Sequence, residues 1–159
     1  ALSAERSNLP KTDARQPRLA VVGLGSELLG DDALGLVCAR RLAKKTVHRP
    51  DFLVVEAGPV PENALGPLRR FEPDLVVIVD AADLALRPGS IRLVEADQLE
   101  GFSASTHTFP LSFIMDFFSH ELGCPVKLLA IQPAQFEFTA LLSIPVRDAV
   151  GRVVRYFGK

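Results

Sequence analysis

The chain lacks the signatures of several common protein classes. Its 159 residues include only two cysteines, Cys38 and Cys124, and their wide spacing fits neither a zinc knuckle nor a disulfide framework. No run of about 18 or more apolar residues occurs, so no segment is expected to span a membrane. Eighteen basic residues balance nineteen acidic ones, without a basic stripe interleaved with aromatics. We therefore expect no nucleic-acid partner and no membrane insertion.

Several catalytic motifs are also missing. There is no H-E-x-x-H pair of a conventional zinc metalloprotease and no G-x-S-x-G nucleophile elbow. Gly23-Leu-Gly25 begins like a dinucleotide-binding loop, but Leu28 stands where the third glycine is needed. Two aspartates follow at the helix start, where a pyrophosphate would need bare N–H groups. A nucleotide- or cofactor-binding α/β module that uses this turn, with Glu56 as the ribose-binding acid, stays open as an alternative.

What the chain does contain is enough apolar sequence for one substantial core. Hydrophobic residues make up 48% of it, and the mean hydropathy is +0.21. We expect a single domain over residues 18–159. Residues 1–17 are polar, carry both charges and lack the apolar stretch of a signal peptide, which predicts a flexible N-terminal tail and a cytoplasmic protein. Cys38 lies among apolar helical positions and is expected in the core.

Short apolar runs alternate with helical patterns along the chain. The runs predict strands over 18–23, 52–56, 75–80, 90–95 and 126–131, the fourth half-exposed at a sheet edge. The helical patterns cover 31–45, 63–71, 108–122 and 144–157. Phe109, Phe113 and Phe117 are spaced by four and are expected to face the core, with a protein-docking surface as the alternative. This alternation predicts an α/β fold, a three-layer αβα sandwich around a mostly parallel sheet.

Polar residues follow the predicted strands at the edge where such sheets bind ligands. Asp32 opens the first helix, Asp80 ends the third strand, and His107 lies in a polar loop ahead of a helix. Two carboxylates and an imidazole suit a divalent transition metal such as nickel or zinc. Asp31 is expected to be the helix N-cap. The same edge is expected to carry Ser26 as support for the turn, Glu56 and Gln132.

These residues lie in motifs that together resemble the [NiFe]-hydrogenase maturation endopeptidases, peptidase family M52, and most closely the hydrogenase 3 maturation type. The resemblance covers about residues 18–158 and rests on five motifs in order. They are Gly-Leu-Gly-Ser-Glu-Leu-Leu-Gly-Asp-Asp-Ala-Leu-Gly at 23–35, Glu-Ala-Gly-Pro-Val-Pro-Glu-Asn at 56–63, Val-Asp-Ala-Ala-Asp at 79–83 leading to Pro-Gly-Ser-Ile-Arg at 88–92, Thr-His-Thr at 106–108, and Ile-Gln-Pro at 131–133. The chain departs from the family at Gly25-Ser26, where Gly-Asn is usual, and at Glu56-Ala57-Gly58, where an acid is often followed by two glycines.

The resemblance implies a twisted, five-stranded sheet and a specific activity. That activity is removal of the C-terminal extension of a hydrogenase large-subunit precursor after nickel insertion. The family's metal-contacting positions fall on Asp32, Asp80 and His107, which would recognise nickel carried by the substrate. We expect no tightly bound metal in the protein itself, and a monomer. A self-sufficient metallohydrolase is a third possibility at the sequence level; it predicts tightly bound metal and cleavage of nickel-free substrates.

Overall fold

The computed structural model describes residues 15–99 and 110–159, and its described part is built on a five-stranded sheet. The strands are β1 (Leu19–Leu24), β2 (Phe52–Gly58), β3 (Leu75–Ala81), β4 (Ile91–Val94) and β5 (Val126–Ile131). The helices are α1 (Leu34–Lys45), α2 (Leu65–Phe71), α3 (Leu111–Leu122) and α4 (Ile144–Phe157). The predicted elements are confirmed in type and order, although α1 and α2 are each preceded by a separate 3-10 turn.

The strands lie in the order β2-β1-β3-β5-β4. β2, β1, β3 and β5 run parallel, whereas β4 pairs antiparallel with β5 at one edge. β1 and β3 are apolar almost throughout because helices cover both faces of the central sheet. β4 is half-exposed, which confirms the predicted edge strand.

Helices cover both faces of the sheet, which confirms the αβα sandwich. On one face α1 and α4 bury a cluster that contains Leu34, Cys38 and Val150. On the other face Leu68 from α2 and Phe118 from α3 pack against the alternate side chains of the same strands. Within the described ranges, every helix is too short or too polar to cross a bilayer.

The predicted aromatic face of α3 does not face the core. Phe113 is 57% exposed and Phe117 38% exposed, so the prediction of a core-facing stripe is wrong for both. The buried face is formed instead by Leu111, Ile114, Met115 and Phe118. Their spacing of 0, 3, 4 and 7 residues is the helical pattern of a buried stripe, and it leaves the phenylalanines to one side. Phe109 lies outside the described residues.

The beginning of the described chain is attached to the sheet's amino-terminal edge. Arg15, which falls in the predicted tail, donates from Nη2 to Asp74 Oδ1 over 3.0 Å. The backbone N–H of Arg18 donates to Asp74 Oδ2 over 2.7 Å. Asp74 therefore ties the entry of β1 to the entry of β3. The remainder of the predicted tail, residues 1–14, lies outside the described residues.

Candidate functional site

The candidate site lies where the strand order reverses between β1 and β3. β1 pairs with β2 on one side and with β3 on the other, so the chain reverses its direction across the sheet after β2. Such a switch point leaves a crevice at the carboxyl ends of the strands. Gly35 lets the start of α1 pack directly on these ends, because a Cβ there would lie 2.2 Å from the Leu24 carbonyl oxygen and 2.4 Å from that of Val79. The turn that precedes α1 is thereby held against both strands.

Asp32 lies in this turn, a 3-10 turn over Gly30–Ala33, and only 1% of it is exposed. Its Oδ2 accepts a hydrogen bond of 2.9 Å from the backbone N–H of Ser26. Gly25 has φ +126°, and a Cβ on it would come within 1.8 Å of the Asp32 carbonyl oxygen. The glycine turn therefore closes onto its own helix start, and Ser26 supports it through both its backbone and its hydroxyl, which accepts from the Leu28 N–H.

Asp80 is fully buried near the end of β3. Its Oδ1 accepts a hydrogen bond of 2.8 Å from the backbone N–H of Ala81. Since side chains alternate along a strand, Asp80 shares a face with Val76 and Ile78, the face covered by α2 and α3. The turn that contains Asp32 contacts β3. The structure therefore places both predicted carboxylates at the same edge of the sheet.

The third member of the predicted trio, His107, lies outside the described residues. Within residues 15–99 and 110–159, no group of three or more histidine, cysteine, aspartate and glutamate side chains is arranged to hold a metal ion. Asp32 and Asp80 are thus the two members of the predicted trio that the structure describes.

Asp31 does not act as the predicted N-cap. Its side chain is fully buried and makes no cap hydrogen bond to its own helix. Instead, Oδ2 accepts from the N–H of Ala134 over 2.8 Å and of Gln135 over 3.3 Å. Ser143 donates from its N–H to Oδ1 over 2.7 Å and from its hydroxyl to Oδ2 over 2.8 Å. Asp31 therefore anchors both ends of the β5–α4 loop (residues 132–143), a role that sequence proximity to Asp32 does not indicate.

Gln132 anchors a second loop at the same edge, the one that follows Asp80. The amide side chain is largely buried at the end of β5. Its Oε1 accepts from the N–H of Leu84 over 2.6 Å and of Leu86 over 3.3 Å. Its Nε2 donates to Asp83 Oδ1 over 3.2 Å. The position of Gln132 after an apolar run indicates the sheet edge in the sequence, and the structure shows that its side chain positions this loop.

Glu56 lies on the surface and pairs with a basic side chain. Arg40 on α1 donates from Nε to Glu56 Oε2 over 3.1 Å and also pairs with the exposed Glu27. The hydrogen bonds that Arg40 donates to the carboxylates of Glu27 and Glu56 raise the pKa of its guanidinium. Arg40 thus pairs with Glu56, the carboxylate that the nucleotide-binding alternative requires. The space beside Gly23 and Gly25 is already filled by protein backbone, because an added Cβ would lie close to the carbonyl oxygens of Gly35 and Asp32.

Neither cysteine suits nucleophilic catalysis. Cys38 is fully buried in the core, as predicted, and burial raises its pKa from 9.0 to about 12. The pKa of Cys124 is also raised, first by burial and then by the charge of Asp74. Both thiols are therefore protonated at neutral pH, whereas a cysteine nucleophile reacts as the thiolate.

Comparison with known proteins finds one consistent family. A family model described as hydrogenase maturation protease matches residues 36–157. The hydrogenase 3 maturation protease of Escherichia coli K12 is 34% identical over 131 residues, which cover 82% of each chain.

Solved structures agree with this match. The [NiFe] hydrogenase maturation protease HycI of Thermococcus kodakarensis KOD1 superposes with a TM-score of 0.80 at 29% identity, covering 91% of this chain and 92% of that one. The endopeptidase HycI of Escherichia coli gives a TM-score of 0.74 at 29% identity and covers 89% of both chains.

Proposed function

The chain belongs to the hydrogenase maturation proteases, which are peptide hydrolases, and we propose that it removes the C-terminal extension of a [NiFe]-hydrogenase large-subunit precursor after nickel insertion. The nickel is part of the substrate, and Asp32, Asp80 and His107 bind it. The observation that carries this proposal is the pair of buried carboxylates, Asp32 and Asp80, at the switch point of the sheet.

The chemistry of the donor set fits a metal that arrives with the substrate. Carboxylate and imidazole ligands accept a divalent transition metal. Three protein ligands leave further coordination positions open, as in sites where substrate completes the metal shell. Cysteine thiolates of the precursor would occupy those positions. The backbone N–H groups of Ser26 and Ala81 orient the two described carboxylates and so reduce the cost of organising them during binding.

The start of α3 supports the assignment of His107 to this site. Leu111, the first residue of α3, is buried in the same cluster as Ala82 and Leu84, which follow β3. His107 precedes Leu111 by four residues, a stretch that spans at most about 14 Å. This position of Leu111 is consistent with a role for His107 at the edge of the sheet that carries Asp80.

Hydrolysis of the scissile bond requires a water, a base and a stabilised carbonyl. The water oxygen bonds to the carbonyl carbon, the C–N bond breaks, and a proton reaches the leaving amine. A carboxylate at hydrogen-bond distance from the water accepts its proton and returns it to the amine. Asp32 and Asp80 are the candidates for this base. Nickel held at the same place fixes the extension and so positions the scissile bond beside them.

Substitution of the trio tests the proposal. We expect Asp32→Ala, Asp80→Ala and His107→Ala each to reduce the rate of precursor shortening by about 100-fold or more, because each removes a nickel ligand or the base. The readout is mass spectrometry of a nickel-loaded precursor, with circular dichroism to verify folding. The exposed Asp97 and His120 provide matched controls: Asp97→Ala and His120→Ala should cleave like the unaltered protein. Unaltered cleavage by a folded His107→Ala protein would contradict the assignment of His107.

A further inference from the structure

An exposed apolar surface lies beside the candidate site. We call it the apolar rim; its members are large side chains that are between 42% and 87% exposed, namely Leu28, Phe136, Phe138, Leu141 and Ile144. Single exposed apolar residues are ordinary in monomeric proteins. Several on adjoining segments are characteristic of an interaction surface. Aromatic residues are also enriched where proteins bind each other.

The members of the rim come from two segments that hydrogen-bond to each other. The N–H of Thr139 donates to the carbonyl oxygen of Leu28 over 2.8 Å. Leu29 and Phe138 form an antiparallel bridge, which adds a second backbone connection between the two segments. The turn after β1 and the β5–α4 loop are thereby joined into one surface.

Hydrogen bonds to the buried carboxylate of Asp31 hold this surface in a fixed position relative to Asp32. Asp31, the neighbour of Asp32, accepts from the N–H groups of Ala134 and Gln135 near the start of the loop and from Ser143 at its end. The N–H of Asp31 in turn donates to the Gln135 carbonyl oxygen over 3.1 Å. Phe136, Phe138 and Leu141 therefore stand exposed on a loop that is fastened to the site at both ends.

We propose that the apolar rim binds an apolar segment of the hydrogenase precursor that flanks the bond to be cleaved. This inference rests on the proposed function. Leu28 is four residues from Asp32, so their Cα atoms are at most about 14 Å apart. A polypeptide anchored by its metal at Asp32 and Asp80 must leave the site over the surrounding surface, and the rim is an apolar part of that surface. The rim thus selects the substrate, whereas the carboxylates recognise its nickel.

Steady-state kinetics of the double variant Phe138→Ser/Leu141→Ser test the proposal. Both side chains are well exposed, so the variant should fold with an unchanged Tm. With nickel-loaded precursor we expect KM to rise about tenfold or more, as for loss of two interface anchors, while kcat stays within about twofold. Val47→Ser and Tyr156→Ser, which remove equally exposed apolar side chains beyond α1 and near the end of α4, serve as matched controls with unaltered KM.

The outcomes separate this inference from the function on which it rests. If the unaltered protein shortens the precursor and the double variant has the same KM, the inference is wrong and the proposed function stands. If the unaltered protein shortens no precursor, the proposed function fails and the inference fails with it. Sedimentation distinguishes a second copy as occupant: a dimer of the unaltered protein that becomes monomeric in the double variant, with KM unaltered, would assign the rim to self-association and overturn the proposal.

Discussion

At the scale of single residues, the adjacent acids Asp31 and Asp32 serve different purposes although both are buried. Asp32 accepts from Ser26 within its own turn, whereas Asp31 accepts from residues more than a hundred positions later in the chain. A carboxylate that accepts hydrogen bonds from several backbone N–H groups is a structural anchor. Removing the carboxylate leaves those donors without a partner. Asp31 therefore couples the β5–α4 loop to the turn that carries Asp32.

Asp31→Ala should destabilise the protein by about 2–4 kcal/mol, because the N–H groups of Ala134 and Ser143 lose their buried acceptor. Urea denaturation measures this loss. Asp97→Ala removes an exposed carboxylate and should change the free energy of unfolding by less than about 0.5 kcal/mol. Equal stability of the two variants would contradict the anchoring role of Asp31.

Two glycines with positive φ provide a matched test of the turn. Gly25→Ala would place a Cβ 1.8 Å from the Asp32 carbonyl oxygen, so the backbone must move and we expect a loss of more than about 3 kcal/mol. Gly123 has φ +65°, but a Cβ added there would meet no atom of the described residues within 4 Å beyond its chain neighbours. Gly123→Ala should therefore cost only about 1–2 kcal/mol of backbone strain. Denaturant unfolding of both variants checks the difference. A Gly25→Ala protein as stable as Gly123→Ala would show that the turn is not closely packed.

The burial of Cys38 should make the protein less stable at alkaline pH. Its pKa is raised to about 12 in the folded protein by burial, from an ordinary value of 9.0. Well below pH 9 the thiol is neutral in both states, so it contributes no pH dependence there. Between pH 9 and about 12 only the unfolded chain ionises, which lowers the free energy of unfolding by up to about 1.4 kcal/mol per pH unit.

Unfolding measured at several pH values should show this slope in the unaltered protein and a smaller slope in Cys38→Ala, which lacks the thiol. Native protein at pH 8 should likewise leave Cys38 unalkylated by iodoacetamide, because the thiolate is the reactive form. Rapid labelling of Cys38 in the folded protein would contradict its burial.

At the scale of elements, α3 shows how a correct helix can be assigned the wrong face. Sequence periodicity predicts a helix over 108–122, and the structure describes it from Leu111 to Leu122. Two sets of apolar residues recur with the helical period on α3, one mostly aliphatic and one aromatic. The four-residue spacing of the phenylalanines favours the aromatic set as the buried face. The sheet selects the other, because Leu111 and Ile114 complete its core. Helical period alone cannot decide between two apolar stripes; only the packing partner does.

Two adjacent phenylalanines on α3 test this assignment. Phe118 is 1% exposed and packs in the core, so Phe118→Ala should cost about 3–5 kcal/mol. Phe117 is 38% exposed, so Phe117→Ala should reduce the free energy of unfolding clearly less than Phe118→Ala does. Thermal unfolding of the two variants makes the comparison. A greater loss for Phe117→Ala would mean that α3 is rotated relative to the sheet.

The sequence does not predict the function of the β5–α4 loop. Its apolar side chains resemble core residues in a sequence, and nothing in their spacing indicates exposure. The hydrogen bonds to Asp31 span more than a hundred residues and follow from the tertiary fold alone. Consequently the sequence indicates Asp32 and Asp80 at the ends of strands but not the surface beside them.

At the scale of the whole molecule, the sheet and its layers follow from local pattern. The apolar runs of β1 and β3 and the helix between successive parallel strands predict a parallel sheet with helices on both faces. The same pattern brings Asp32 and Asp80 to one edge, because parallel strands share their carboxyl ends. The order β2-β1-β3-β5-β4 and the antiparallel β4 depend on long-range pairing, which the residues do not encode locally.

We propose that the protein recognises nickel carried by its substrate through Asp32, Asp80 and His107. Mass spectrometry of one precursor, incubated in nickel-loaded and nickel-free forms with the unaltered protein, tests it most directly. We predict loss of the C-terminal extension from the loaded form only, since the anchoring metal is absent from the other. Equal shortening of both forms would contradict the claim.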